Sequence, residues 1–598
     1  MARTIAARSA LFACLAGLFA WACAAAGERD AVRERVDTIA AEWLERSVAR
    51  DPIGASLRGL GGASRWPDPR PATVRESMRE DRSMLRALGR VDAALLDPER
   101  RRTVALLVRE LEQRADWYGH ERHLLPALHG HGVHAPQAVA SELRFTRADD
   151  YNAWLARLEA LPDWLAATRE QLRRGVRRGV LLPRPLARQL PAAVRAQLVD
   201  DPRDSPLYTP FASLPAALPE SERERLSATA AALIEREIVP AYRDFHAFLV
   251  ETYLPEIPAG VGLGGDDGDG DARYAALLAH HTGSDLDADA LLERAHAELE
   301  RETDALAELL ADEFGVDDDA LSWLQHQRAP GRAPVVPAAA LTDAWRAATR
   351  RLDVLLPAEF MPLPRLPYGV TPAVDGPPVR YLPPTFGGRD AGLLLVRADA
   401  ARPAHEIAAG AAAHGMPGLH LRHARVLELE SLPRFRRALA VTAFDDGWAA
   451  YAVTLAARLG AFTDPHAAAG AHEAALLRAA AAVADIGLHA RGWRREQAVE
   501  FLLAHSARGE AELIATVDRL IEWPGRAVGY IIGLETLRGL REQAEARLGT
   551  AFDPAGFHDA LLGAGPLPPP LLEARMDTWL RERAAAPLSD PSSRTNPQ

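Results

Sequence analysis

The groups able to carry chemistry in this 598-residue chain are its 19 histidines and 82 carboxylates, because lysine is absent and cysteine occurs twice. All 70 basic residues are arginine, which excludes a Schiff-base lysine, a phosphate-loop lysine and a Ser-Lys dyad. No G-x-S-x-G elbow occurs and no G-x-G-x-x-G follows a predicted strand, so serine-hydrolase and dinucleotide chemistry lack their signatures. Histidine spacing is then the first thing to weigh. His129-x-His131-x-x-His134, with His120 and His123 nearby, could gather a transition metal, but Pro126, Gly130, Gly132 and Pro136 mark a solvated loop. His405-Glu406 and His472-Glu473 each begin like a helical zinc motif, which needs a second His one turn later. Position 409 is Ala and position 476 is Leu, so both fail that test.

The elements that must position these groups are mostly helices. Apolar residues recur at spacings of three and four over Ala31–Ala49, Asp150–Gly179 (with a break expected at Pro162), Glu220–Thr252, Asp289–Leu310 and Ala467–Ala490. One β region is predicted, Pro362–Ala398, where Val379–Leu382 and Leu393–Arg397 flank a Gly387-Gly388 turn as in a hairpin. The fold class expected is therefore mainly α, a large helical body with a small β insert near residues 362–398. One helical domain is expected over residues 27–586, followed by a polar, disordered tail at 587–598. The acidic loop Gly264–Asp271 resembles a calcium loop in composition alone. Counted from Asp267, its twelfth position is Leu278 rather than an acid, so a solvated turn is expected.

Residues 1–26 read as a secretory signal, with Arg3 and Arg8 ahead of an apolar stretch, Leu11–Trp21, and the small-residue site Ala24-Ala25-Ala26. Both cysteines, Cys14 and Cys23, fall inside it. Lipidation of Cys23 is the less favoured reading, since Ala20-Trp21-Ala22 is not a Leu-led box. Cleavage after Ala26 leaves a chain with no disulfide, thiol nucleophile or Cys-ligated zinc. It also moves the formal charge from −12 to −14, because the segment carries two Arg and no acid. An acidic chain without a basic run argues against nucleic acid as a partner. The expectation is export to the periplasm or beyond, with no transmembrane span in the mature chain.

Several ordered blocks resemble one family. Pro417-Gly418 with His420-Leu421, then Gly447-Trp448 with Tyr451, then Asp485-Ile-Gly-Leu-His489 with Gly492-Trp493, then Pro524-Gly525 through Tyr530 and Gly533 follow its pattern. So do Pro240-Ala-Tyr242, Tyr253-Leu-Pro255, Gly260-Val-Gly-Leu263 and Tyr381-Leu-Pro-Pro384. The chain resembles the bacterial domain-of-unknown-function 885 family, which is similar to zinc metallopeptidases of the gluzincin type. Its signature has the form H-E-x-x-P-G-H-H-L-Q, E-G-W-A-L-Y-A-E, D-T-G-[LI]-H-x-x-G-W and P-G-Q-A-L-x-Y-K-I-G. The motif-bearing part of this chain is 399–550.

The departures fall on the chemistry. Aligned without a gap, Ala413 stands for the first His, His414 for the Glu and Leu419 for the next His. Asp446 and Val453 replace the two Glu of the second block, and Arg526 and Ile531 replace the Gln and Lys of the fourth. By this resemblance His414, His420 and Asp446 are the remaining candidates for a three-ligand zinc set, which also needs an open position and a base. His414 is the candidate replacement base and Tyr530 the candidate oxyanion donor. Asp485 and His489, four apart on one helix, are candidates for a pair orienting a ligand from behind. Without the Glu, water activation weakens by roughly two to four orders of magnitude. Three readings follow: a non-catalytic pseudo-enzyme that binds a peptide or partner, an active metal-dependent hydrolase with a rearranged site, and a structural envelope protein.

Overall fold

The computed structural model describes residues 27–585 apart from 127–130, 259, 264–268, 317–318, 330 and 374–375. The signal segment, the 587–598 tail, His129 and most of the acidic loop lie outside the described residues. The body is mainly helical, as the periodicity predicts. The helices that matter for the site are α1 (Pro98–Gly119), α2 (Ala148–Arg178), α3 (Asp269–Thr282), α4 (Ala288–Phe314) and α5 (Ala338–Asp353). After the β insert come α6 (His405–His414), α7 (Leu419–Glu428), α8 (Thr442–Arg458), α9 (Pro465–Ala490) and α10 (Arg526–Leu548).

Helix α9 is the axis of the C-terminal half. Asp464 caps it by accepting from the His466 amide at 3.0 Å, and Pro465 opens its first turn. Its alanines favour helix, and every residue from Ala479 to His489 is buried. A helix apolar all round has to be enclosed, and α4, α6 and α10 pack against it. Helices α8 and α10 meet where Gly447 faces Gly533. A Cβ on Gly533 would lie 1.7 Å from the Ala443 carbonyl oxygen, and one on Gly447 would lie 2.6 Å from the Gly533 carbonyl carbon. Only glycine permits this approach.

The β insert holds β1 (Tyr368–Ala373), β2 (Val379–Leu382) and β3 (Gly392–Arg397) in the order β1-β3-β2. β2 and β3 pair antiparallel, with Val379 opposite Val396 and Leu382 opposite Leu393, and the predicted hairpin is present. Gly387 and Gly388 take positive φ in its connection. β1 adds in parallel, Tyr368 opposite Gly392. One face of the sheet, carrying Leu394 and Val396, packs on Trp345 of α5 and Ile407 of α6.

The break expected at Pro162 does not occur. α2 runs through it for 31 residues and ends at Gly179, which takes φ 70°. Tyr151, Trp154, Leu158, Leu161 and Leu165 of α2 all lie in an aromatic-rich core with Trp66, Trp164 and Phe211, so burial along the whole helix outweighs the one lost backbone hydrogen bond. The rod from Glu220 to Tyr253 is also continuous, widening to π geometry at Ile234–Ile238 and Leu249–Tyr253. No helix among the described residues is long and apolar enough to cross a membrane.

The α8–α10 crossing carries a direct prediction. Gly533→Ala forces a methyl into the Ala443 carbonyl and should lower the unfolding free energy by about 3 kcal/mol. The unobstructed Gly539→Ala on the same helix should be neutral or stabilising. Equal urea midpoints for the two variants would contradict the packing argument.

Candidate functional site

The chain reverses between α6 and α7 at residues 415–418. Gly418 is required there, since a Cβ on it would sit 2.0 Å from the Ala413 carbonyl oxygen. Trp448 of α8 locks the reversal from below, its indole N–H donating to the Pro417 and Gly418 carbonyls at 3.0 and 3.2 Å. His414, the last residue of α6, donates from Nδ1 to the Gly410 carbonyl at 3.0 Å. Burial pushes its pKa down, the Gly410 carbonyl opposes that, and the nearby Arg478 guanidinium lowers it further. His414 is therefore neutral, with a lone pair on Nε2.

His420 serves the β insert. Its Nε2 donates to the Leu366 carbonyl at 3.0 Å, its Nδ1 accepts from the Tyr381 hydroxyl at 3.1 Å, and its ring lies 4.4 Å from that of Tyr368. Both ring nitrogens are occupied, and burial lowers its pKa to about 4. Asp446 points elsewhere, to Arg526 at 3.6 Å. Burial raises its pKa and Arg526 opposes the rise, yet 35% of its side chain stays accessible. Its neighbour Asp445 pairs with the buried Arg422, and burial still pushes it up to about 6. Tyr530 is 5% exposed, and its hydroxyl finds no hydrogen-bond partner. Burial, with Glu298 beside it, raises its pKa well above the ordinary value.

Asp485 and His489 are both fully enclosed but do not bond to each other. Asp485 accepts from the Tyr274 hydroxyl at 2.7 Å and the Gly525 amide at 2.8 Å, fixing α3 and the start of α10 to α9. Burial raises its pKa to about 7. His489 accepts at Nδ1 from the Leu263 amide at 3.2 Å and donates from Nε2 to the Leu520 carbonyl at 3.0 Å. The family's Asp…His block thus ties segments together in this chain. His131, from the histidine-rich loop, lies 3.1 Å from the Glu142 carboxylate.

Among the described residues, one group of three His, Cys, Asp or Glu brings its ligand atoms within 4.8 Å of one another: His405, Glu406 and Glu473. The His405-Glu406 dipeptide and Glu473 of the second one, which fail the one-helix spacing, converge here from separate helices, while His472 turns to Glu302. Two cations already occupy the place, however. Arg328 lies 2.6 Å from Glu406 and 2.5 Å from Glu473, and Arg508 lies 2.9 Å from Glu406 and 3.4 Å from Glu473. His405 donates from Nε2 to Glu473 at 3.1 Å. Burial would raise the Glu473 pKa, but the His405 hydrogen bond and the Arg508 and Arg328 charges bring it down to about 2. This is a structural clamp joining α6 and α9 to the segments of Arg328 and Arg508. Nothing in the local sequence marks those two arginines, which lie far along the chain from one another.

A profile for the family described as "Bacterial protein of unknown function (DUF885)" matches residues 52–576. The chain belongs to that family. No curated protein matches it. Its fold is that of a "putative lipoprotein" from Colwellia psychrerythraea, with TM-score 0.85 and 19% identity over 92% of this chain and 99% of the other. A "putative lipoprotein of unknown function" from Shewanella oneidensis is also similar, with TM-score 0.66 and 15% identity over 90% of this chain and 98% of that one.

Within the DUF885 fold, the zinc that the family resemblance implies can be tested against the donors present. His414, His420 and Asp446 do not converge within the 4.8 Å that His405, Glu406 and Glu473 satisfy. His420 has no free nitrogen, Asp446 faces a guanidinium, and Ala413 lies in an apolar cluster with Ile407 and Val453. As arranged, these side chains do not offer the convergent donors that a tetrahedral zinc requires. Two departures from the family pattern, Asp446 and Arg526, now partner each other.

The clamp makes stability depend on pH. Glu473 has a folded pKa near 2 against an ordinary 4.5, so its contribution is complete above about pH 4.5 and is lost as pH falls towards 2. The shift corresponds to about 3 kcal/mol. Urea unfolding should show Glu473→Gln less stable than wild type by about that amount at neutral pH, with the gap closing between about pH 5 and pH 2. A gap constant with pH would show that the carboxylate charge is not what the clamp uses.

Proposed function

We propose that this chain is an exported, non-catalytic DUF885 protein that binds a peptide or a partner without cleaving it. The observation that carries the reading is the fate of His420. In the position that the resemblance offers to a metal, both of its nitrogens are committed to the β insert, at Leu366 and Tyr381. Ala413 and the Asp446–Arg526 pair agree with it, since each replaces a family residue of metal or acid–base chemistry with one that packs or neutralises, and Leu419 carries no donor at all. His414 keeps a free Nε2, but the donors around it do not assemble a metal-bound water for it to deprotonate. His414, Asp446 and Arg478 stay partly exposed and Arg526 is exposed, so these altered positions remain within reach of a ligand.

Export is supported by the signal-like residues 1–26 and by the description of both structural neighbours as lipoproteins. That description also favours Cys23 acylation as the second reading of the N-terminus, which the mass of the mature protein distinguishes from cleavage after Ala26. The functional test pairs metal analysis with a cleavage assay. The purified protein, dialysed against a weak chelator and then offered zinc, should retain far less than one zinc per chain and leave peptide libraries intact. Retention of one zinc, with peptide hydrolysis abolished by chelation, would instead establish the rearranged hydrolase.

A further inference from the structure

Four cavities among the described residues have walls whose charges balance or lean acidic. The one between α1 and α3 sets Arg109, Arg122 and Arg273 against Glu112, Asp116 and Asp285. One beside Phe435 sets Arg100 and Arg434 against Asp37, Glu45 and Glu430. Two smaller ones carry as many carboxylates as arginines. A fifth cavity, of about 660 Å³, departs from this pattern. Arg184, Arg188, Arg494 and Arg495 line it, and Glu496 is the one carboxylate in its wall.

One of the four arginines is neutralised within the protein. The Arg495 guanidinium donates to the Asp518 carboxylate at 2.7 and 3.0 Å. Arg184 donates to the Ile257 carbonyl at 2.9 Å, which orients its charge without cancelling it, and Arg494 reaches the neutral Gln497 side chain. Arg184, Arg188 and Arg494 are exposed and form no ion pair among the described residues. Glu496 subtracts one charge and leaves the balance positive. The first turn of the helix Arg495–Ala504 lies at the same wall, and its dipole adds to the positive field. The other side of the cavity is apolar, with Val261, Leu488 and Trp493. Two of the family-like blocks build it, and they are fixed against each other. A Cβ on Gly262 would lie 2.1 Å from the Leu488 carbonyl oxygen, and His489 accepts from the Leu263 amide at 3.2 Å.

We infer that this cavity is the docking site of an acidic peptide, whose carboxylate side chains meet Arg184, Arg188 and Arg494 and whose apolar side chains rest on Val261 and Trp493. This rests on the reading of the chain as a peptide binder and states which peptides it takes. The chain carries a formal charge of −12, so its surface at large repels an acidic ligand while a basic pocket focuses the field and draws one in. Guanidinium forks suit carboxylates bidentately. The volume is that of an organic ligand, and a lone oxyanion would leave the apolar side bare. In an extended peptide successive side chains point to opposite sides. A segment alternating acidic and apolar residues therefore offers carboxylates to the arginines and hydrocarbon to Val261 and Trp493.

The test uses the full mature protein with three end-blocked peptides, Glu-Leu-Glu-Leu-Glu, Gln-Leu-Gln-Leu-Gln and Lys-Leu-Lys-Leu-Lys, and with tricarballylate as a small polyanion. Calorimetry at low ionic strength should show the Glu peptide binding at least about ten-fold more tightly than the Gln peptide, and the Lys peptide weakest. Added salt should shrink that advantage. Arg188→Glu with Arg494→Glu, checked for cooperative unfolding, should abolish it; if the double variant does not fold, Arg188→Glu alone takes its place. Arg79→Glu with Arg581→Glu, on the distant helices Pro71–Leu88 and Pro569–Ala585, makes the same change in net charge and should leave most of it. Equal loss in the two double variants would overturn the cavity as the site. Equal binding of the Glu and Gln peptides would overturn the acidic preference while leaving the peptide-binding reading intact. Tricarballylate binding that needs Arg188 and Arg494, with no peptide bound, would overturn the peptide occupant in favour of a small anion. Cleavage of the bound Glu peptide would keep the site and overturn the non-catalytic reading, and binding of no probe would overturn both.

Discussion

The C-terminal body depends on meeting every buried carboxylate of its central helix with directed partners. That helix, α9, is buried throughout from Ala479 to His489 and carries Glu473 and Asp485 into the middle of the protein. A buried carboxylate costs several kcal/mol unless cations or hydrogen-bond donors meet it, so each needs partners that arrive from a different part of the chain. Glu473 gathers Arg328, Arg508 and His405, and Asp485 gathers the Tyr274 hydroxyl and the Gly525 amide. These links fix the helices that bear the family's motifs relative to one another. The absence of lysine suits such an interior, because a guanidinium can bridge two carboxylates at once, as Arg328 does between Glu406 and Glu473.

On the proposed reading, that constraint explains how a metal site could be rebuilt without unfolding the protein. Removing the histidines and glutamate that hold a metal, and the metal with them, leaves carboxylates and cavities that must be satisfied anew. Asp446 acquires Arg526, Asp445 acquires Arg422, and Ala413 turns its position over to the apolar cluster under the β insert. His420 is kept but reassigned, as a peg between α7 and the strands, and Gly392 of β3 is small where the imidazole lies; a Cβ there would be 2.8 Å from Nδ1. The scaffold motifs persist because they do packing work independent of catalysis. Trp448 holds the Pro417-Gly418 reversal, and Gly447 and Gly533 set the α8–α10 distance.

Much of the fold is legible in the sequence, since it follows from short-range pattern. The helical spans, the Val379–Leu382 and Leu393–Arg397 hairpin and the mainly α class rest on periodicities that the structure repeats. The break expected at Pro162 fails because a local rule about proline takes no account of the aromatic core that holds α2 together. The clamp is not legible. His405-Glu406 and His472-Glu473 each fail the one-helix zinc test, and that test cannot see that Glu473 crosses to meet His405 from another helix. Asp485 and His489 have the spacing of a coupled pair, yet their partners, Tyr274, Gly525, Leu263 and Leu520, come from elsewhere in the chain. Helix spacing puts two residues on one face; it does not decide which neighbour each finds there.

Not every buried charge is met by an ion of opposite sign. Arg157 is satisfied by the Pro52, Gly62 and Arg65 carbonyls and the Ser56 hydroxyl, and Asp485 accepts from the Tyr274 hydroxyl and the Gly525 amide. Backbone groups and hydroxyls thus do for these two what arginines do for Glu473, and the rule the core obeys is that a buried charge needs directed partners, whether or not those partners are charged. On the proposed reading hydrolysis is lost while that rule holds, because family residues of metal chemistry give way to ones that pack or are paired.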